Sequence, residues 1–195
     1  MYCLILDNNV STIMPDATTK DGTATNDLTI ELHGENRIIA YHESSNISMG
    51  ISFDPNNQRG DVTSDLILTG GDTTGESLLT MECGAVGNNP RAKSYAIYLE
   101  KSDLTVDGIK LDVDVQAGTG QYKCRTAFKA NNVTIKDGST VNVNLKEGSG
   151  GTVFDAQSVT IENGASLTVT MTKNCQLFAS SASASPASTL SARSG

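Results

Sequence analysis

The chain has 195 residues, of which 37% are hydrophobic and 18% charged, with a formal net charge of −8. That acidity excludes the basic, phosphate-neutralising surface that nucleic-acid binding needs, and no apolar run is long enough to insert in a membrane. The length fits one domain, and the modest apolar content suits a thin solenoid with a continuous core one side chain wide.

Residues 2–6 read as a strand in an incomplete first turn of a repeat. The apolar start is cut short by Asp7, Asn8 and Asn9, so it does not read as a signal peptide. The chain therefore reads as a fragment that begins inside its domain. Leu28-Thr29-Ile30-Glu31-Leu32 is the first clear copy of a recurring strand, and Leu66-Ile67-Leu68 is the second. Leu28 to Leu66 and Leu66 to Leu104 are 38 positions each. Later copies are shorter: Leu104 to Val133 is 29 positions and Val133 to Val159 is 26.

Residues 95–171 write the pattern three times in full. Ala96-Ile97-Tyr98-Leu99, Ala127-Phe128-Lys129-Ala130 and Val153-Phe154-Asp155-Ala156 form one set of runs. Leu104-Thr105-Val106, Val133-Thr134-Ile135 and Val159-Thr160-Ile161 form the second. Leu111 to Val115, Val141 to Leu145 and Leu167 to Met171 form the third. Period-two alternation marks strands with one buried face, and Gly, Asp, Asn and Ser between them mark turns. Repeats of this length with no helical stretch predict an all-β parallel β-helix, three short strands per rung. Three inner columns follow: Ile97 with Phe128 and Phe154, Leu104 with Val133 and Val159, and Leu111 with Val141 and Leu167. The extra length of the N-terminal rungs is expected in long loops, which in repeat proteins gather on one side. The domain is expected over residues 1–179. Residues 180–195 are rich in Ser and Ala and read as a disordered linker or an interrupted further rung.

The segments DLTIELHGENRI, YAIYLEKSDLTVDG and VTIKDGSTVNV resemble secreted or cell-surface β-helical proteins of anaerobic bacteria, described as carbohydrate-binding or pectate-lyase-like adhesive proteins. The resemblance covers residues 2–178 and rests on core and turn positions. It implies a right-handed coil, an extracellular or cell-surface location, and a polysaccharide or host-surface glycan as partner. The chain is expected as a monomer within a larger protein.

Catalytic chemistry is not evident. His33 and His42 have no Ser, Cys or Asp partner in a nucleophile context. Arg37, Arg59, Arg91 and Arg125 are expected in or beside loops, not on a repeated strand where a lyase would hold its base. The expected role is a non-catalytic carbohydrate-binding or adhesive module; a β-helical spacer without ligand is the alternative, and a polysaccharide lyase or glycoside hydrolase comes third. There is no Trp. The candidate glycan contacts are Arg91, Lys93, Tyr95, Tyr98, Tyr122, Lys123 and Arg125, a basic and aromatic cluster suited to uronates. Ordinary solvated loop residues would look the same. The outward Asp112, Asp114, Asn142, Asn144, Thr168 and Thr170 make a polar face that keeps a flat sheet soluble.

The one cofactor to weigh is a calcium ion. Asp107-Gly108, Asp137-Gly138 and Asn163-Gly164 recur in one turn, and stacking is expected to set Asp107 and Asp137 about 4.8 Å apart. One calcium bridging both is the metal reading; a tight turn that selects Asp and Asn before Gly is the other. Cys3, Cys83, Cys124 and Cys175 show no metal-ligand spacing, and Cys124 and Cys175 lie two rungs apart, about 9.6 Å, too far for a disulfide. All four are expected as free thiols.

Overall fold

The computed structural model describes residues 2–6, 27–42, 47–53, 64–71, 77–85, 93–116, 124–145, 150–172, 174–179, 183–186 and 190–194. All regular structure among them is strand. β1 (Tyr2–Leu6) opens the coil. The next rung is β2 (Leu28–Leu32), β3 (Glu35–His42) and β4 (Ile47–Ser52). It is followed by β5 (Leu66–Gly70), β6 (Leu78–Ala85) and β7 (Lys93–Tyr98), then β8 (Leu104–Asp107), β9 (Lys110–Gln116) and β10 (Cys124–Lys129). β11 (Asn132–Ile135), β12 (Thr140–Leu145) and β13 (Gly151–Asp155) come next. β14 (Ser158–Ile161), β15 (Ser166–Met171) and β16 (Cys175–Phe178) complete the last full rung.

Each strand pairs in parallel with its equivalent one rung away. The result is three parallel sheets: a first of seven strands from β1, a second of six from β3 and a third of five from β4. The architecture is a right-handed parallel β-helix with three strands per rung. Backbone N–H and C=O groups of each short strand thereby find partners in the neighbouring copies, which a lone four-residue strand cannot provide.

The registers reproduce the expected columns. Leu104 faces Val133, which faces Val159. Leu111 faces Val141, which faces Leu167. Ile97 faces Phe128, which faces Phe154 and then Phe178. The phenylalanines stack with ring centroids 5.3 and 5.8 Å apart, so the aromatic column is continuous. Alternation fails on β2, where Thr29 is buried between Leu28 and Ile30, and along the third sheet. Ala96 and Ile97 are both fully buried, as are Ala127 with Phe128 and Val153 with Phe154. The third sheet thus buries consecutive side chains where a flat strand would bury every second one.

Two stretches of the Ser/Ala-rich tail are strands. β17 (Ser183–Pro186) adds to the first sheet beside β14, and β18 (Leu190–Ser194) adds to the second beside β15. Parallel pairing asks for backbone groups and not for large side chains, so Ser and Ala suffice there. Gln116 closes β9, while Cys124 and Arg125 open β10.

Candidate functional site

Among the described residues, three departures from a simple repeat bear on the candidate site. The departures set which side chains reach the surface.

The first is Arg125. The sequence places it in an exposed loop with Arg91 and Lys123, but it lies on β10, only 1% exposed. It pairs with Ser94 on one side. On the other, one step before the Thr126–Thr152 pair, stands Gly151, which in turn faces Cys175. A methyl group placed on Gly151 would lie 3.4 Å from Leu145 Cδ1 and from Cys175 Sγ, so this column faces inward. The missing side chain leaves room for the guanidinium, whose Nε donates to Gly150 O at 3.3 Å and whose Nη2 reaches Cys175 Sγ at 3.6 Å. Burial pulls the Arg125 pKa below its ordinary value, and Cys175 opposes this. Arg125 is therefore a core residue, withdrawn from any glycan. Arg37, also expected beside a loop, lies on β3 and pairs with Glu82 at 2.5 Å.

The second departure is in the turn that holds Asp107 and Asp137. Leu104 to Leu111 is seven positions, and Val133 to Val141 is eight. With Val106 facing Ile135, the next step in register sets Asp107 against Lys136, not against Asp137. Lys136 Nζ lies 2.9 Å from Asp107 Oδ2. That hydrogen bond and the charge of Asp107 raise the Lys136 pKa. The carboxylate of Asp137 lies over Gly164, in the space a Cβ there would occupy. The expected carboxylate pair is thus an Asp–Lys contact, and its electrostatic case for calcium is gone. Among the described residues no three His, Cys, Asp or Glu side chains gather as a metal site. The tight turn accounts for the glycines: Gly108, Gly138 and Gly164 have φ of 66°, 75° and 91°, which only Gly adopts readily.

A different acidic column escapes the sequence reading. Asp27 Oδ1 accepts from Asp65 N at 3.1 Å, Asp65 Oδ1 from Asp103 N at 2.9 Å, and Asp103 Oδ1 from Asn132 N at 3.0 Å. Asn131 and Asn132 side chains donate to the same Asp103 oxygen at 2.9 Å. Each carboxylate holds a backbone N–H at the start of the next rung. Desolvation, and then the charges of Asp103 and Asp27, raise the Asp65 pKa against the opposing hydrogen bond from Asp103 N. The signal is an Asp or Asn before each of Leu28, Leu66, Leu104 and Val133.

The third departure is between the third and first sheets. Tyr98 to Leu104 is six positions, whereas Lys129 to Val133 is four. Glu100 and Lys101 are the two extra residues, and Glu100 is held at φ 45°. Beside them Tyr98 is half-buried, with its hydroxyl donating to Glu100 Oε2 at 2.9 Å. Its ring meets Tyr95 edge-on, centroids 4.9 Å apart. Tyr95 is only 7% exposed, so it supports Tyr98 and offers little surface itself. Along the column Tyr98 faces Lys129, which faces Asp155, and Lys129 Nζ binds Asp155 Oδ2 at 2.8 Å. Lys93 is exposed at the start of β7. Arg91, Tyr122 and Lys123 lie outside the described residues.

Of the thiols, Cys83 and Cys175 are free. Burial pushes the Cys83 thiol up to about 12, so it is an inert core group at neutral pH. The side chains of Cys3 and Cys124 lie outside the described ones.

Comparison of the chain with family models, with curated proteins and with solved structures found no match in any of the three.

Proposed function

We propose that this β-helix is a non-catalytic carbohydrate-binding or adhesive module of a secreted or cell-surface bacterial protein. The observation that supports this reading is the Tyr98 corner. An aromatic ring with a polar tip stands at the surface of a rigid sheet, braced by Tyr95 and flanked by Lys129 and Asp155. A sugar ring presents C–H groups to an aromatic face and hydroxyls to charged neighbours, and such a site needs few but well-placed polar groups. Its strands are backbone-paired on both sides, so little ordering free energy is spent on binding.

The second reading is a spacer with no ligand. It is favoured by the way outward polar groups meet each other: Arg37 with Glu82, Lys136 with Asp107, and Asn142 with Asp112 at 2.7 Å. A surface of this kind is solvated and self-satisfied. A glycan array probed with the full chain separates the two. Binding to at least one polysaccharide class, lost in Tyr98→Ala, supports the module; silence across the array, with the protein folded, supports the spacer.

A further inference from the structure

Resting on the module reading, we propose that the two-residue insertion Glu100–Lys101 turns the Tyr98 corner into a subsite for a neutral glycan. The uronate suggested by the basic residues of the sequence is disfavoured.

Backbone strain is the first observation. A non-glycine residue in the left-handed region is uncommon and costs free energy, and such strain is kept where surrounding structure or function requires it. The later copies make the same turn two residues shorter, with Asn131 N bonded to Ser102 O and Gln157 N to Asn131 O. The coil therefore does not need Glu100 to turn. What the insertion achieves is placement: it carries a carboxylate back to the Tyr98 hydroxyl.

Hydrogen-bonding capacity is the second. Glu100 uses Oε2 for Tyr98 and Asp155 uses Oδ2 for Lys129, which leaves Glu100 Oε1, Asp155 Oδ1 and two Lys129 N–H groups for other partners. Lys129 is 25% and Asp155 39% exposed, so both are reachable from solvent. Tyr98, Lys129 and Asp155 sit on consecutive strands, a span of about 10 Å along the axis at the usual strand spacing. That is the length of a disaccharide laid along the coil.

Charge sets the class. The corner holds Glu100 and Asp155 against Lys101 and Lys129, with Lys129 already paired. A uronate would bring a third carboxylate to a place with no excess positive charge, and Arg125, one of the two arginines in the expected cluster, is in the core. Vicinal hydroxyls of a neutral sugar instead donate to the carboxylate oxygens and accept from the ammonium.

The test is affinity electrophoresis of the full chain in gels containing hydroxyethylcellulose, xyloglucan, galactomannan or polygalacturonate, with Glu100→Gly and Asp155→Asn alongside. Glycine relieves the backbone strain while removing the carboxylate. The expected result is retardation of the parent by a neutral polymer and about tenfold or greater weakening in both variants, with the Tm of Glu100→Gly equal to or above the parent. Unchanged retardation of Glu100→Gly overturns the subsite while leaving the module reading intact. Retardation by polygalacturonate alone overturns the neutral class. Failure of every gel overturns the subsite, and failure of the array as well removes the module reading with it.

Discussion

From Leu28 to Leu66 the chain needs 38 residues to return to the same place, as Asp27 and Asp65 show, whereas Ser158 returns to Asn132 after 26. The early and late rungs nevertheless present the same columns in the same register. What differs is how the interior is filled. Along the third sheet the column grows from Gly50 through Ala96 and Ala127 to Val153, while along the second it shrinks from Met81 to Val113, Val143 and Val169. Repeat length is therefore free to vary between strands, and at the early end Met81 of the second sheet fills the space that Gly50 of the third leaves open.

The late rungs should respond most strongly to a change in their interior. Val143 is 2% exposed in a column of apolar side chains. Val143→Asp is expected to cost about 4 kcal/mol or more and to abolish the cooperative thermal transition. A variant that melts like the parent would mean that Val143 faces solvent.

The early rungs test volume exchange directly. A methyl group on Gly50 would sit 2.7 Å from Met81 Cε and 2.8 Å from Ala96 O. Gly50→Ala should therefore cost about 1–3 kcal/mol in a denaturant titration, although alanine is what the next two rungs carry at this position. Adding Met81→Val should recover part of the loss and not all, because the Ala96 carbonyl stays where it is. A neutral Gly50→Ala variant would refute the idea that Met81 fills this space.

The smallest effect concerns the acidic column, where three early carboxylates give way to Asn132 and Ser158 in the late rungs. The folded state raises the Asp65 pKa, so its protonated form is favoured in the native protein. The stability this group contributes is fully present below its unfolded pKa and is lost as pH rises through the higher folded value. Asp65→Asn keeps an acceptor for Asp103 N and removes the like charge. It should raise stability at neutral pH, by no more than about 1 kcal/mol because the site is solvated and screened. The gain should vanish on acidification as the parent protonates. A lower Tm for the variant at neutral pH would show that the charge itself is needed.

Much of this architecture is legible in the amino-acid sequence. Period two in Val133-Thr134-Ile135 and Val141-Asn142-Val143 assigns faces without ambiguity, since a one-residue slip would expose the whole column. Arg125 is not legible, because arginine normally keeps its head in water. The only cue is one copy away, in the glycine at 151 that leaves it space. Asp107 is misplaced when Asp-Gly pairs are aligned in place of strands; counting from Leu104 and Val133 puts Lys136 opposite it. Glu100 and Lys101 are visible as two extra residues, but the φ of Glu100 and its link to Tyr98 depend on how the turn closes in space, which spacing alone does not encode.

Every column and corner described above depends on successive copies stacking one rung apart in the stated register. Thr105 and Thr134 are partners on neighbouring strands, and paired Cα atoms at strand spacing are within disulfide reach. In the double variant Thr105→Cys/Thr134→Cys, oxidation followed by digestion and mass spectrometry should show the 105–134 crosslink. Thr105→Cys/Lys136→Cys, two residues off register and about 8 Å apart, should not show its own. Efficient crosslinking of the off-register pair, with none between 105 and 134, would mean that the rungs do not stack in this way.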